Sequence, residues 1–110
     1  MAVTVSNVSG TLPFVRGERT DSLVLGTCSI TPDVSYPTGG EALVASAIDS
    51  NLNELIGVIC LSVSGTNTND VYYCAYDSTN GLLLMFDEAG ECPNTTDNSD
   101  AVLFCMYIAR

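Results

Sequence analysis

The chain has 110 residues and a mass of 11.6 kDa, enough for one domain with its own core. Its 13 acidic residues face only three arginines, and it has no histidine, lysine or tryptophan, so the formal net charge is −10. Without histidine there is no Ser-His-Asp or Cys-His catalytic unit, and without lysine there is no Walker A phosphate loop. Three arginines cannot form a phosphate-binding face, so nucleic acid is not an expected partner.

The N-terminal residues 1–20 are polar and irregular, with Val3 and Val5 alternating with hydroxyl side chains. This pattern predicts an extended N-terminal arm, either a docked edge strand or a mobile tail. A single β-domain is expected over residues 21–110. The sequence shows no signal peptide, and no run approaches the roughly 18 apolar residues of a membrane helix. No membrane partner is therefore expected.

The first half of the domain contains one clear strand and one ambiguous stretch. Ser22–Thr31 alternates in a way that predicts a strand with Cys28 and Ile30 on one face. The Pro-Thr-Gly-Gly sequence within Tyr36–Gly40 predicts a turn, since glycine adopts positive φ without steric cost. Glu41–Leu55 is expected to form a short strand and then a helical turn near 46–54, capped by an Asp or Ser side chain at 49 or 50.

The second half predicts four further strands. Ile56–Ser64 is β-branched and apolar on both faces, which indicates a central strand buried on both sides. Val71–Tyr76 and Leu82–Phe86 should form a hairpin through Asn80-Gly81. Ala101–Ala109 is also apolar on both faces, so it is expected inside the sheet or against a partner.

These elements predict an all-β fold, a small antiparallel β-sandwich or barrel with room for one short helix. Several strands are apolar on both faces, and a domain of this size has few positions that are buried on both sides. Two interpretations stay open for this apolar excess. Another chain covers part of the apolar surface, or the domain packs it all into a compact monomeric core.

The acidic loop Asp87–Asp100 carries five carboxylates: Asp87, Glu88, Glu91, Asp97 and Asp100. Their oxygens are of the kind that Ca²⁺ prefers, but their spacing does not match an EF-hand loop, and a solvated loop is the simpler interpretation. Paired carboxylates also serve glycoside hydrolysis, which needs one acid in an apolar pocket. Because this loop is expected to be exposed, the protein is predicted not to be an enzyme, and no cofactor is expected.

The five cysteines are Cys28, Cys60, Cys74, Cys92 and Cys105. None forms a CxxC pair, so no metal site is predicted from their spacing. Four of them lie in apolar strand-like runs, which favours buried free thiols. A cross-strand disulfide is the alternative if the protein reaches an oxidising environment, as a secreted β-domain would.

Short segments across most of the chain share their order with one family. They are Gly17–Arg19, Leu23–Leu25, the YPTGGE turn within Ser35–Leu43, Tyr76-Asp77, Asn80-Gly81, Thr96–Ser99 and Ile108–Arg110. In this order the chain resembles small capsid decoration (cement) proteins of tailed bacteriophages. It departs from that pattern at Asn98, where the family typically has Leu, and at Ala109, where Gly is common.

The resemblance implies a virion structural protein made in the host cytoplasm and bound to the outside of the capsid. Its expected partners are the major capsid protein and copies of itself in a homotrimer. A phage tail, fibre or host-recognition β-module is the alternative. The predicted interface residues are Phe14, Arg16, Arg19, Phe104 and Tyr107, with the two arginines as the candidates for ionic contacts and the arm reaching onto the capsid.

Overall fold

A computed structural model describes residues 3–14 and 23–110, with residues 9–14 described by their backbone alone. Its elements in chain order are β1 (Thr4–Phe14), β2 (Leu23–Thr31), β3 (Glu41–Ala42), α1 (Ala45–Ile48), β4 (Leu55–Gly65), β5 (Tyr73–Asp77), β6 (Leu82–Asp87), β7 (Gly90–Glu91) and β8 (Ala101–Ala109). The predicted all-β fold with one short helix is confirmed. In the described ranges no helix is long and apolar enough to cross a membrane.

The strands form two antiparallel sheets. The large sheet has the order β1-β2-β8-β4, and the small sheet has the order β3-β6-β5 with β7 also paired to β6. Strand β1 pairs with β2 from Thr4 opposite Thr31 to Phe14 opposite Leu23, with two register shifts. Within the predicted arm, residues 4–14 therefore form a docked edge strand.

The core lies between the two sheets, which pack as a sandwich. The large sheet contributes Ile30, Leu103 and Tyr107, and the small sheet contributes Leu83 and Met85, all fully buried. On β2 and β8 the inward side chains alternate with outward ones, as their sequences predict. Strand β8 lies between β2 and β4, so it is central in the large sheet.

Strand β4 differs from its prediction. Its sequence indicates a central strand buried on both faces, but β4 lies at the edge of the large sheet, and side chains along it are exposed. Ile59 and Leu61 expose 46% and 52% of their surface. An apolar composition shows that a strand can be buried, but the pairing order decides whether a neighbour or another layer covers it.

The region before β4 is close to its prediction. Strand β3 is short and is followed by one helical turn, but the helix begins earlier than expected. Val44 precedes it without a side-chain cap, and Asp49 lies at its C-terminal end, so the expected acidic or hydroxyl N-cap is wrong. Apolar packing of Ala45 and Ile48 into the core stabilises this turn instead.

The β5–β6 hairpin agrees with its prediction. The Gly81 amide donates to the Asp77 carbonyl at 2.8 Å, and Asp77 pairs with Leu82 across the turn. Gly81 has a φ of 68°, a conformation that glycine adopts readily. The Asp77 carboxylate accepts hydrogen bonds from the backbone and side chain of Asn80, which lower the pKa of that carboxyl.

Candidate functional site

The large sheet contains no charged residue in any of its four strands, although the chain as a whole carries 13 acids. Strands β1, β2, β4 and β8 consist of apolar, hydroxyl, amide, glycine, proline and cysteine residues only. The acids are confined to the small sheet and to the segments that connect strands. The acidic side chains therefore lie outside the strands of the large sheet, so these strands form a neutral surface on a strongly acidic protein.

The side of the large sheet that faces away from the core is apolar at its centre. We call this surface the outer face and define it by five side chains: Ile59 and Leu61 on β4, and Phe104, Met106 and Ile108 on β8. Ile59 lies opposite Met106, and Leu61 lies at the register shift beside the pair Ser62–Phe104. Phe104 exposes 39% of its surface. Apolar side chains clustered on one exposed face mark a surface that binds another molecule more often than isolated ones do.

The free edge of the large sheet adjoins the outer face. Strand β4 is 11 residues long and has β8 as its sheet neighbour on one side only. On its other side β4 has no strand of the large sheet and no charged side chain of its own, and β5 of the small sheet packs close to it. Proteins usually protect such edges with charges, prolines or short strands, because an unprotected edge pairs with other chains. In β4 the register shifts near Gly57 and Ser62 are the irregularities that interrupt pairing.

The predicted interface residues separate in the structure. Phe104 lies on the outer face, where it is available to a partner. Tyr107, three residues later, lies on the opposite face and is fully buried between Gly26 and Val58, which makes it a core residue. Phe14 ends β1 opposite Leu23, with only its backbone described. Arg16 and Arg19, for which ionic contacts were predicted, lie outside the described residues.

A cluster of thiols lies on the inner face of the same sheet. Cys28, Cys105 and Cys60 form a row across β2, β8 and β4, since both neighbours pair directly with Cys105. Cys74 of β5 reaches this row from the small sheet, with its Sγ 3.7 Å from Cys105 Sγ. The sulfurs of Cys60, Cys74 and Cys105 all lie within 4.8 Å of one another, and we call these three residues the thiol cluster. All five cysteines are free thiols.

The members of the thiol cluster differ in their surroundings. Cys74 and Cys105 are buried, and Cys60 is half-buried on the edge strand. The neighbouring thiols of Cys105 and Cys74 lower the pKa of Cys60. The thiols of Cys60 and Cys74, together with burial, raise the pKa of Cys105. Cys60, whose Sγ donates to the Ser62 carbonyl at 3.8 Å, is the member nearest to solvent.

The predicted acidic loop does not gather its carboxylates into one site. Glu91 accepts hydrogen bonds from the Tyr36 hydroxyl at 2.6 Å and from the Gly39 amide at 2.7 Å. Burial, and then the bond to Glu91, raise the pKa of Tyr36. Glu91 thereby attaches the YPTGG turn to β7, which is a structural role.

Of the remaining acids of that loop, two hold their own turns and two bind other segments of the chain. Asp87 accepts from the Ala89 amide at 2.8 Å, and Asp97 accepts from the Ser99 amide at 3.0 Å. Asp100 accepts from the backbone and hydroxyl of Thr68, and the Tyr72 hydroxyl donates to Glu88 at 2.7 Å. Among the described side chains, the thiol cluster is the one group in which three or more Cys, Asp or Glu ligand atoms lie close together, so the carboxylates of this loop are not gathered in that way.

One acid is buried in the small sheet. Glu41 of β3 is fully buried, and neither of its carboxyl oxygens has a hydrogen-bond partner among the described residues. Asp33 Oδ2 is likewise buried without a hydrogen-bond partner among the described residues, whereas Asp33 Oδ1 accepts from the Ser35 amide. Two ionised carboxyls cannot bond to each other, but a proton on Glu41 supplies the missing donor to Asp33. Burial, followed by the nearby charge of Asp33, raises the pKa of Glu41 to about 7.

Sequence reasoning missed the thiol cluster. Its members are separated by 14 and 31 residues, and no spacing rule for metal ligands covers such separations. Strand alternation does place Cys105 and Cys28 on inward faces. Strand alternation does not determine the register that places Cys60 of β4 beside Cys105 of β8, or the packing that brings Cys74 of β5 to both.

Comparison with family models, curated proteins and solved structures finds no match to this chain. The resemblance to phage capsid decoration proteins therefore stays a prediction from the sequence.

Proposed function

We propose that this protein is a non-enzymatic structural protein that assembles with copies of itself through the outer face, and that the assembly decorates the shell of a phage capsid. The observation that supports this most directly is the neutral, apolar outer face of an acidic chain. The number of subunits, three, and the identity of the shell, a lattice of major capsid protein, come from the resemblance of the sequence.

The charge distribution favours this surface as the self-contact. Each copy carries a formal charge of −10, so two copies repel each other wherever their acidic loops meet. The strands of the large sheet are free of charge, so copies approach there at the lowest electrostatic cost. Phe104, Ile59 and Leu61 then lose their remaining exposed surface, and removing apolar surface from water stabilises the contact.

The edge of β4 supports the same contact. Strand β4, at the edge of the large sheet, carries no charged residue, so a second copy on the outer face meets no acidic side chain along this strand. The exposed apolar side chains of β4 then add to the surface that the contact removes from water. The proposed occupant of this face is therefore a second copy of this chain.

The test of self-assembly compares two aspartate substitutions. Phe104→Asp places a charge at the centre of the outer face, and Val34→Asp places the same charge on a side chain that is 60% exposed and outside the large sheet. We expect Phe104→Asp to weaken self-association at least tenfold, because about 1.4 kcal/mol of uncompensated desolvation is enough for that change. Val34→Asp should associate like the wild type.

Sedimentation equilibrium measures the association constants, and circular dichroism checks that both variants fold. A wild-type chain that is monomeric at all concentrations, or a folded Phe104→Asp variant that associates normally, would contradict the proposed contact. The capsid role is tested separately by the copy number of this chain in purified virions. Hundreds of copies per particle support decoration, whereas a few copies overturn it and favour a tail or fibre module.

A further inference from the structure

The geometry of the thiol cluster points to a second property of the protein. We propose that Cys60, Cys74 and Cys105 bind one thiophilic metal ion of the Zn²⁺ type, so that a three-sulfur site joins the two sheets. This inference does not depend on the proposed role at the capsid, because the cluster lies on the inner face of the large sheet and the proposed contact lies on the outer face.

The distances suit a single ion. Zn²⁺ binds thiolate sulfur at about 2.3 Å, and in a tetrahedral site two such sulfurs are then about 3.8 Å apart. Cys74 Sγ and Cys105 Sγ are already 3.7 Å apart, and the third sulfur lies within 4.8 Å of both. The three sulfurs are therefore already close to the separations that a single tetrahedral ion requires.

The position of the cluster is also suitable for binding. The ligands come from β4, β8 and β5, so the ion would link the central and edge strands of the large sheet to the small sheet. Cys60 is half-buried, which gives the ion a path from solvent, while Cys74 and Cys105 are buried. Soft thiolate ligands select zinc over hard ions such as Mg²⁺ and Ca²⁺. On binding, each thiol releases its proton to solvent and no electron is transferred.

A disulfide is the competing use of the same sulfurs. Two of the three thiols could be oxidised to a disulfide, whose bond length of about 2.05 Å is far below the observed separation, and one thiol would be left over. The two outcomes exclude each other, since an oxidised pair no longer provides thiolate ligands. The experiment therefore starts from fully reduced protein, with its free thiols counted before metal is added.

The test titrates the full-length reduced protein with Co²⁺ and then displaces it with Zn²⁺. Cobalt serves as the spectroscopic probe because thiolate ligation gives a charge-transfer absorption that carboxylate ligation does not give. We expect one Co²⁺ per chain with this absorption, displacement by one Zn²⁺, and a higher melting temperature in excess Zn²⁺ because the ion binds the folded state.

Three serine substitutions locate the ligands. Cys60→Ser removes the half-buried ligand and should weaken zinc binding by about 100-fold or more, since even changes to groups that only support a ligand cost 10- to 100-fold. Cys28→Ser and Cys92→Ser are the matched controls, because both remove a buried thiol outside the cluster. Both controls should keep the cobalt absorption and the stoichiometry.

Several results would overturn the metal site. They are a reduced wild-type protein that shows no thiolate-to-cobalt absorption, a folded Cys60→Ser variant that keeps it, and a control variant that folds and loses it. Circular dichroism of each metal-free variant establishes folding, so a binding defect is not confused with an unfolded chain. Self-association by sedimentation remains a separate readout, and its failure would leave the thiol site unaffected.

Discussion

The two sheets of this sandwich differ most clearly in where they carry charge. The four strands of the large sheet have no charged residue, whereas every strand of the small sheet has one: Glu41, Asp77, Asp87 and Glu91. The small sheet uses several of these carboxylates to hold turns, as Asp77 does for the hairpin and Glu91 for the YPTGG turn. The large sheet uses none and leaves its outer face neutral.

This difference shows that the acidity of the chain is not spread over a uniform surface. Acids in turns and short strands act mainly through hydrogen bonds within the chain, and their negative charge would repel the same regions of a second copy. The large sheet is then the surface on which repulsion is smallest. Experiments that change one face or one sheet at a time test whether the two regions are as independent as this comparison suggests.

The largest expected effect comes from two aromatic residues on opposite faces of β8. Tyr107→Ala should destabilise the fold by about 3–5 kcal/mol, because the ring is fully buried and leaves a cavity. Phe104→Ala should cost at most about 2 kcal/mol, since part of its surface is already exposed. Urea unfolding measures both free energies.

If Tyr107→Ala is too unstable to purify, Tyr107→Phe provides the second measurement. It keeps the ring and removes a buried hydroxyl that has no partner among the described residues, so it should be at least as stable as the wild type. Equal losses in the free energy of unfolding for Tyr107→Ala and Phe104→Ala would contradict the assignment of Tyr107 to the buried face and Phe104 to the exposed face of the large sheet.

The next effect concerns the buried acid of the small sheet. The pKa of Glu41 is about 7 in the folded protein against 4.5 for the free side chain, so between these values the folded state binds a proton that the unfolded state does not. Its contribution to stability is complete below about pH 4.5, decreases as the pH rises and is lost above about pH 7. A pKa difference of this size corresponds to about 3 kcal/mol.

Glu41→Gln tests this directly, because glutamine stays neutral and can still donate to Asp33. The variant should match the wild type at about pH 5 and exceed its stability at about pH 8, with a difference of up to about 3 kcal/mol. Glu54→Gln is the control, since Glu54 is exposed and pairs with Arg110 at 2.5 Å, and pairs of this kind contribute little. A stability difference between Glu41→Gln and the wild type that does not change with pH would contradict the assignment.

The smallest expected effect compares two glycines of the large sheet. Gly26 lies opposite Tyr107, and a methyl group there would collide with the Tyr107 ring. Gly26→Ala should therefore cost about 1–3 kcal/mol. Gly57, opposite Ile108, has open space around it, so Gly57→Ala should be neutral or slightly stabilising. Thermal unfolding of the two variants measures the difference. If Gly26→Ala is as stable as Gly57→Ala, the predicted collision with the Tyr107 ring is contradicted.

Several parts of the fold follow from local sequence. The β5–β6 hairpin depends on an Asn-Gly turn and two apolar strands, and all of these signals lie within Val71–Phe86. The alternation of β2 and β8 is likewise a property of each strand alone, so their inward and outward side chains agree with prediction. The placement of β4 does not follow in this way, because Leu55–Leu61 is apolar apart from Gly57 and so resembles the central strand β8.

The sequence by itself determined the all-β class, the position of most strands, the excess of acidic residues and the absence of histidine and lysine chemistry. These depend on composition and on contacts between near neighbours in the chain. Only the tertiary structure decided that β8 is central and β4 is the edge, that Phe104 is exposed while Tyr107 is buried, and that three distant thiols meet. Those facts depend on pairing order, register and sheet packing, which arise from contacts between residues far apart in the chain. The sequence of one strand alone is compatible with several pairing orders and registers.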